Sequence, residues 1–161
     1  MDYEPSAFEE DSPMEEEIKD NNDNDFNFMQ QIEVHTGAVK GIAVKTLKDP
    51  TSGDRGLLLS GSYDLSCKLF FLDQNSGKYE FIQELNYHDN YVYNVANNLG
   101  EGFLTCGKDM RIFLIDNNGN PNKMFEGHTN LVNSVLPVDD KRIVSGSWDG
   151  TAKVWDIETT K

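Results

Sequence analysis

From Phe26 onward, apolar and polar residues alternate in short runs broken by clusters of Gly, Asn, Asp and Ser. The stretches "LLLSGSYDLSCKLFFLD" (57–73), "GFLTCGKDMRIFLID" (102–116) and "RIVSGSWDGTAKVWD" (142–156) each read as two strands joined at a tight turn that carries an Asp. Period-two alternation places successive side chains on opposite faces of a sheet, and the Asp, Gly and Ser clusters supply turns. No segment sustains an apolar period of 3.6 over three turns, so the pattern predicts an all-β chain.

The runs also repeat. "VHTGAVKGIAV" begins at Val34, "YHDNYVYNVAN" at Tyr87 and "GHTNLVNSVLP" at Gly127. Each pairs a His with an apolar strand a few residues later, and each is followed by one of the two-strand units. Aligned on the turn Asp, the units carry Ser60-Asp64-Phe70, Thr105-Asp109-Ile115 and Ser145-Asp149-Trp155. The His-to-Asp separation is 21 residues in the second and third units and 29 in the first. The excess falls on "KTLKDPTSGDRG" (45–56), which reads as a loop insertion. Self-similarity at a period of about 40 residues is the signature of stacked repeats that bury a core between neighbours.

Composition narrows the picture. The chain has 161 residues, 37% of them hydrophobic, enough for one domain. No apolar run approaches the roughly 18 residues of a membrane span, and the N-terminus has neither a basic nor an apolar stretch of the secretory kind. Cys67 and Cys106 lie inside apolar strands and read as buried reduced thiols rather than disulfide or metal partners. A cytoplasmic or nuclear location is expected. The net charge of −14 is uneven: residues 1–26 carry eleven acids and one base, and the remainder seventeen acids and thirteen bases. Residues 1–26 are expected to be a disordered acidic tail, because their charges repel and they have little to bury. The functional alternative is an acidic interaction tail with Ser12 as a phosphorylation site. Neither part offers a basic face, so direct nucleic-acid binding is not expected.

His35, His88 and His128 are separated by 40 residues or more, one per repeat, which argues for three structural His–Asp pairs rather than a shared centre. There is no Gly-rich phosphate loop and no Cys/His metal spacing. "SGS" at 60–62 and 145–147 sits in a strand with no helix after it, unlike a nucleophile elbow. The expectation is no catalytic residues, no metal and no cofactor.

A His, a Ser/Thr–turn–Asp and a terminal Trp-Asp recurring at this period resemble the WD repeats of a β-propeller, across residues 27–158. The third repeat is the strongest match. The first has Phe70-Phe71 and the second Ile115-Asp116 where Trp-Asp is usual. The resemblance implies about three four-stranded blades, near 34–73, 87–116 and 127–158, of an incomplete propeller. It implies a buried network in the third repeat that joins Asp149, His128, Ser145 and Trp155. His35, Ser60 and Asp64, and likewise His88, Thr105 and Asp109, would form shorter versions, since Phe70 and Ile115 have no N–H to donate. "SGSWDGTAKVWD", "TCGKDMRIFLID" and "HTGAVKGIAV" further resemble the first three repeats of the phospholipase-A-activating-protein family, ubiquitin-binding cofactors of an AAA segregase.

Propellers close with roughly four to eight blades. Segments 26–34, 79–87 and 122–128 would be outer strands, the first lacking a partner within the chain. The remaining blades are expected from a longer chain, a second copy or another subunit. WD propellers bind partners through the loops that enter the inner strand and the turns that carry the Asp. That implies a non-catalytic protein-interaction scaffold, with ubiquitin in the protein-turnover pathway as one partner, or a scaffold of another assembly (trafficking, signalling or ribosome biogenesis) as the alternative. The partner-binding candidates are Tyr63, Lys108 and Trp148, one before each turn Asp, with Asn90, Tyr91, Asn130 and Leu131 after the histidines.

Overall fold

The computed structural model describes residues 30–161 apart from Asp49, Ser52 and Glu101. The expected acidic tail, with Ser12, lies outside the described residues. Those described form an all-β structure of three antiparallel sheets, each a blade in which sequential strands lie side by side. The first blade holds β1 (Val39–Leu47), β2 (Arg55–Ser62), β3 (Cys67–Leu72) and β4 (Tyr79–Leu85). The second holds β5 (Val92–Asn97), β6 (Phe103–Gly107), β7 (Ile112–Ile115) and β8 (Pro121–Phe125). The third has β9 (Val132–Pro137), β10 (Arg142–Ser147) and β11 (Ala152–Asp156), three strands where the other blades have four. This is the architecture of a partial WD-repeat propeller.

Alternation explains how the blades stack. On the first blade, Ala43, Leu57, Leu59, Cys67 and Leu69 point one way and meet Val92, Val95, Phe103, Phe113 and Ile115 of the second. The other face of the second blade, with Leu104, Cys106, Ile112 and Leu114, meets Val132, Val135, Ile143 and Trp155 of the third. Burying an aromatic or aliphatic side chain contributes roughly 1.5–3 kcal/mol, so these two interfaces are the source of the fold's cohesion. Both cysteines are free and buried in them. Burial pushes the Cys67 thiol up to about 12, with Asp64 and Asp109 adding to the effect.

Two sequence readings need correction. Residues 45–56 are not all loop: β1 runs to Leu47 and β2 starts at Arg55, paired Leu47 with Arg55. The hairpin lengthens because its far end is held by the next blade, where Lys45 Nζ donates to the Asn98 carbonyl at 3.2 Å and the Asn97 side-chain Nδ2 donates to the Val44 carbonyl. The described part of 26–34, residues 30–34, is not a strand. The Gln30 side chain instead closes a two-bond clamp on the Tyr79 backbone, its Nε2 donating to the carbonyl and its Oε1 accepting from the amide, both at 2.7 Å.

Candidate partner-binding face

Each blade is pinned at one end by the same set of polar groups. His35 Nδ1 lies 2.8 Å from Asp64 Oδ2 and its Nε2 lies 2.7 Å from Ser60 Oγ. His88 spans Asp109 Oδ2 at 2.8 Å and Thr105 Oγ1 at 2.9 Å. His128 spans Asp149 Oδ2 and Ser145 Oγ, both at 2.7 Å. The histidine side chains are almost fully buried and the carboxylates nearly so. In the third blade Trp155 Nε1 adds a bond to Ser145 Oγ at 2.8 Å. Phe70 and Ile115 occupy the equivalent places and have no side-chain N–H to donate; Ser60 Oγ reaches instead to the Lys68 carbonyl at 3.4 Å.

The carboxylate fixes the direction of the third network. Asp149 can only accept, so in the neutral imidazole His128 Nδ1–H donates to it and the unprotonated Nε2 accepts from the Ser145 hydroxyl, which in turn accepts from Trp155 Nε1–H.

The carboxylates have further donors that spacing alone did not single out. Ser66 Oγ donates to Asp64 Oδ1 at 2.7 Å and Thr151 Oγ1 to Asp149 Oδ1 at 2.6 Å. A Ser or Thr two residues after the turn Asp is the sequence signal for this; the second repeat has Arg111 there and gives only its amide, at 3.3 Å. The amides of Thr36, Asp89 and Thr129 complete the sets, at 3.0, 3.2 and 3.1 Å. Burial works against ionisation of Asp64, yet the Ser66, His35 and Thr36 bonds hold its carboxyl far below the usual range. For Asp109 burial again opposes, and the bonds and charge from His88 prevail. For Asp149 the Thr151 hydroxyl leads and His128 adds to it. A carboxylate withdrawn from water is tolerated when donors surround it in this way.

Because each His belongs to the loop entering a blade and each Asp to its β2–β3-type turn, the bond between them brings loop and turn to one edge. A main-chain bond repeats the tie: the amides of Tyr63, Lys108 and Trp148 donate to the carbonyls of Ala38, Tyr91 and Leu131 at 3.0, 2.8 and 3.0 Å. These three residues therefore sit at equivalent points on one face. Trp148 is 67% exposed, Lys108 is exposed and Tyr63 half-buried. Asn130 and Tyr91 are exposed, Asn90 is half-buried, and the Asn90 and Asn130 carboxamide oxygens accept from the next amide in the chain. Leu131 is corrected: it is buried, at 6% exposure, and offers little surface to a partner. Lys40 and Tyr93, which the sequence reading passed over, also reach this face. Tyr93 meets Tyr63 edge-on at 5.3 Å and Lys40 Nζ lies 5.4 Å from the Tyr63 ring centre. Among the described residues no group of three or more His, Cys, Asp or Glu is arranged to hold a metal, and no helix is long and apolar enough to cross a membrane.

Comparison with known proteins agrees with this geometry. Residues 119–156 match the family "WD domain, G-beta repeat". The target of rapamycin complex subunit LST8-1 of Arabidopsis thaliana is 32% identical over 106 residues, 63% of this chain and 33% of that protein. The ribosome biogenesis protein WDR12 homolog of Oryza sativa subsp. japonica is 26% identical over 127 residues, 79% of this chain and 24% of that protein. The small ribosomal subunit protein RACK1 of Candida albicans is 39% identical over 57 residues, 35% and 16% of the two chains. The chain spans a third or less of the length of these relatives. Blades, buried networks and matches together support the WD-repeat family.

Proposed function

We propose that this chain is a non-catalytic protein-interaction scaffold that meets its partner through the face bearing Tyr63, Lys108 and Trp148. The observation that carries the reading is that these side chains stand at one repeated point, fixed by buried His–Asp pairs, while taking little part in the core. A rigid edge that displays an exposed tryptophan, a cation and tyrosines has the residue types that dominate interface energetics. The relatives are named as members of the target of rapamycin complex, of ribosome biogenesis and of the small ribosomal subunit, which fits a part in a multiprotein assembly. A cytoplasmic or nuclear setting, with further blades from a longer chain, a second copy or another subunit, is consistent with that role.

Ubiquitin is the particular partner suggested by the phospholipase-A-activating-protein resemblance, with Trp148 against its apolar patch. The test is binding of fluorescent ubiquitin to the chain and to Trp148→Ala. Saturable binding that weakens by about tenfold or more in the variant supports ubiquitin, since central tryptophans commonly contribute about 2 kcal/mol or more. No binding to the parent chain removes ubiquitin and leaves the wider scaffold reading. That reading is tested by affinity purification from cells with the parent and with Tyr63→Ala/Lys108→Ala/Trp148→Ala. Its prediction is loss of the co-purifying proteins from the triple variant; an unchanged set contradicts it.

A further inference from the structure

Where the first two blades meet, Lys40, Tyr63, Tyr91, Tyr93 and Lys108 form one cluster on the loop face. They come from β1, the β2–β3 turn, the loop into β5, β5 itself and the β6–β7 turn, so only the stacking of two blades assembles them. The Tyr63 and Tyr91 rings stack at 4.6 Å and 21°. Tyr93 closes on Tyr63 edge-on, and the phenol of Tyr93 is raised first by its hydrogen bond with Tyr63 and then by burial. Lys40 Nζ lies 5.4 Å from the Tyr63 ring centre and Lys108 Nζ 5.1 Å from that of Tyr91.

Lys40 and Lys108 lie over tyrosine rings rather than against carboxylates. With a net charge of −14, carboxylates are in excess, and Lys48, Lys68, Arg111 and Arg142 each have one as an ion-pair partner. No ion pair among the described residues involves Lys40 or Lys108. The nearby acids are engaged elsewhere: Asp64 and Asp109 turn inward to His35 and His88, and Asp89 pairs with Arg111. A ring face orients an ammonium without neutralising it. Two exposed cations thus flank a set of phenol hydroxyls, in a position where a carboxylate would relieve their mutual repulsion and accept charge-assisted bonds.

We propose that this cluster is a binding site for an acidic peptide segment of a protein partner, with carboxylates on Lys40 and Lys108, the tyrosine hydroxyls as added donors and the peptide's aliphatic stems against Tyr91. A nucleic-acid strand fits less well. Tyr63 and Tyr91 already stack on each other, where a base needs a free ring face, and two lysines in a strongly acidic protein neutralise little of a phosphate backbone. The site rests on the scaffold reading of this face and is independent of ubiquitin as the partner.

The test is fluorescence anisotropy with a labelled peptide of six consecutive Glu in a Gly-Ser frame, a Gln-for-Glu counterpart, and a single-stranded oligonucleotide of equal charge. The full chain is used, alongside a version with Glu9, Glu10, Glu15, Glu16 and Glu17 changed to Gln and Asp11 to Asn, so that its own acidic run does not compete. The expected result is saturable binding of the Glu peptide, about tenfold weaker for the Gln peptide and again for Lys40→Gln/Lys108→Gln. Lys141→Gln, on the β9–β10 turn, should leave it unchanged, and the thermal midpoint of the double variant should match the parent. No saturable binding, equal affinity for the Gln peptide, indifference to the double substitution, or tighter binding of the oligonucleotide overturns the proposal. Failure here combined with loss of co-purifying proteins in the triple variant removes the acidic specificity alone and leaves the scaffold face standing.

Discussion

At His128 the acceptor-only carboxylate of Asp149 sets the tautomer. Nδ1–H donates to Asp149, Nε2 accepts from the Ser145 hydroxyl, and the indole N–H of Trp155 adds a donor to Ser145 Oγ. Changing Trp155 to Phe keeps the ring and removes the N–H, so the third blade should come to resemble the first. The expected loss is about 1 kcal/mol in a urea titration, the net value of a neutral buried hydrogen bond; an unchanged midpoint would show that the bond contributes nothing. The carboxylates give a pH prediction. Asp64, Asp109 and Asp149 all have pKa values lowered by folding, so they contribute stability above the unfolded value of about 3.9 and lose it as pH falls through their folded values. The thermal midpoint should therefore hold between pH 7 and 5 and drop steadily below about pH 4. Asp109→Asn should start lower at pH 7 and fall less steeply in acid; a parallel fall contradicts the assignment. The Ser/Thr–Asp–His set was legible from spacing, because the carboxylate, imidazole and hydroxyl recur at fixed offsets. Leu131 was misjudged because its place in the loop after His128 suggested exposure, whereas both Leu131 and Val132 are buried.

At the level of the element, the turns that carry the Asp share one backbone shape. The residue after each Asp has a positive φ: 76° at Leu65, 67° at Met110 and 83° at Gly150. Only glycine adopts that region freely, and a side chain there costs roughly 1–2 kcal/mol. Leu65 and Met110 are 40% and 43% exposed, so they recover little by burial. Met110→Gly should accordingly raise stability by roughly 1 kcal/mol, read as a shift of the denaturant midpoint to higher concentration; a shift to lower concentration would mean that Met110 contributes contacts worth more than the strain. Strands and their Asp turns could be read from alternation and punctuation, as in the two strands and turn of residues 142–156 that became β10 and β11. The β1–β2 hairpin was harder. Lys45, Thr46 and Leu47 look like the start of a polar loop, and what extends them as strand is the neighbouring blade's Asn97 and Asn98, a contact no local pattern encodes. The stretch before His35 failed for a similar reason: Gln30 clamps the start of β4 with its side chain, not its backbone.

For the whole molecule, the two outward sheet faces matter most. The first blade turns Ile42 (66% exposed) and Val44 away from its neighbour, and the third does the same with Leu136, Val144 and Val154 (63% exposed), a row that register places side by side. These are the faces that adjacent blades cover in a closed propeller, and among the described residues β11 also presents an unpaired edge. Taken alone, the 161-residue chain should self-associate, and Ile42→Lys with Val154→Lys should return it toward the monomer in sedimentation velocity. A parent chain that sediments as a monomer at all concentrations would contradict this account of the faces. The tyrosine–lysine cluster belongs to this scale too, since its members lie in different strands and turns and meet only when two blades stack. The claim on which the rest depends is that a buried imidazole–carboxylate pair fixes each loop to its turn. The most direct measurement is a long-range ¹H–¹⁵N correlation spectrum of ¹⁵N-histidine-labelled chain near pH 8, where an ordinary histidine is neutral. The account predicts His128 as a single Nδ1–H tautomer with its proton protected from exchange, lost in Asp149→Ala. An Nε2–H tautomer, or the averaged signal of a free imidazole, would contradict it.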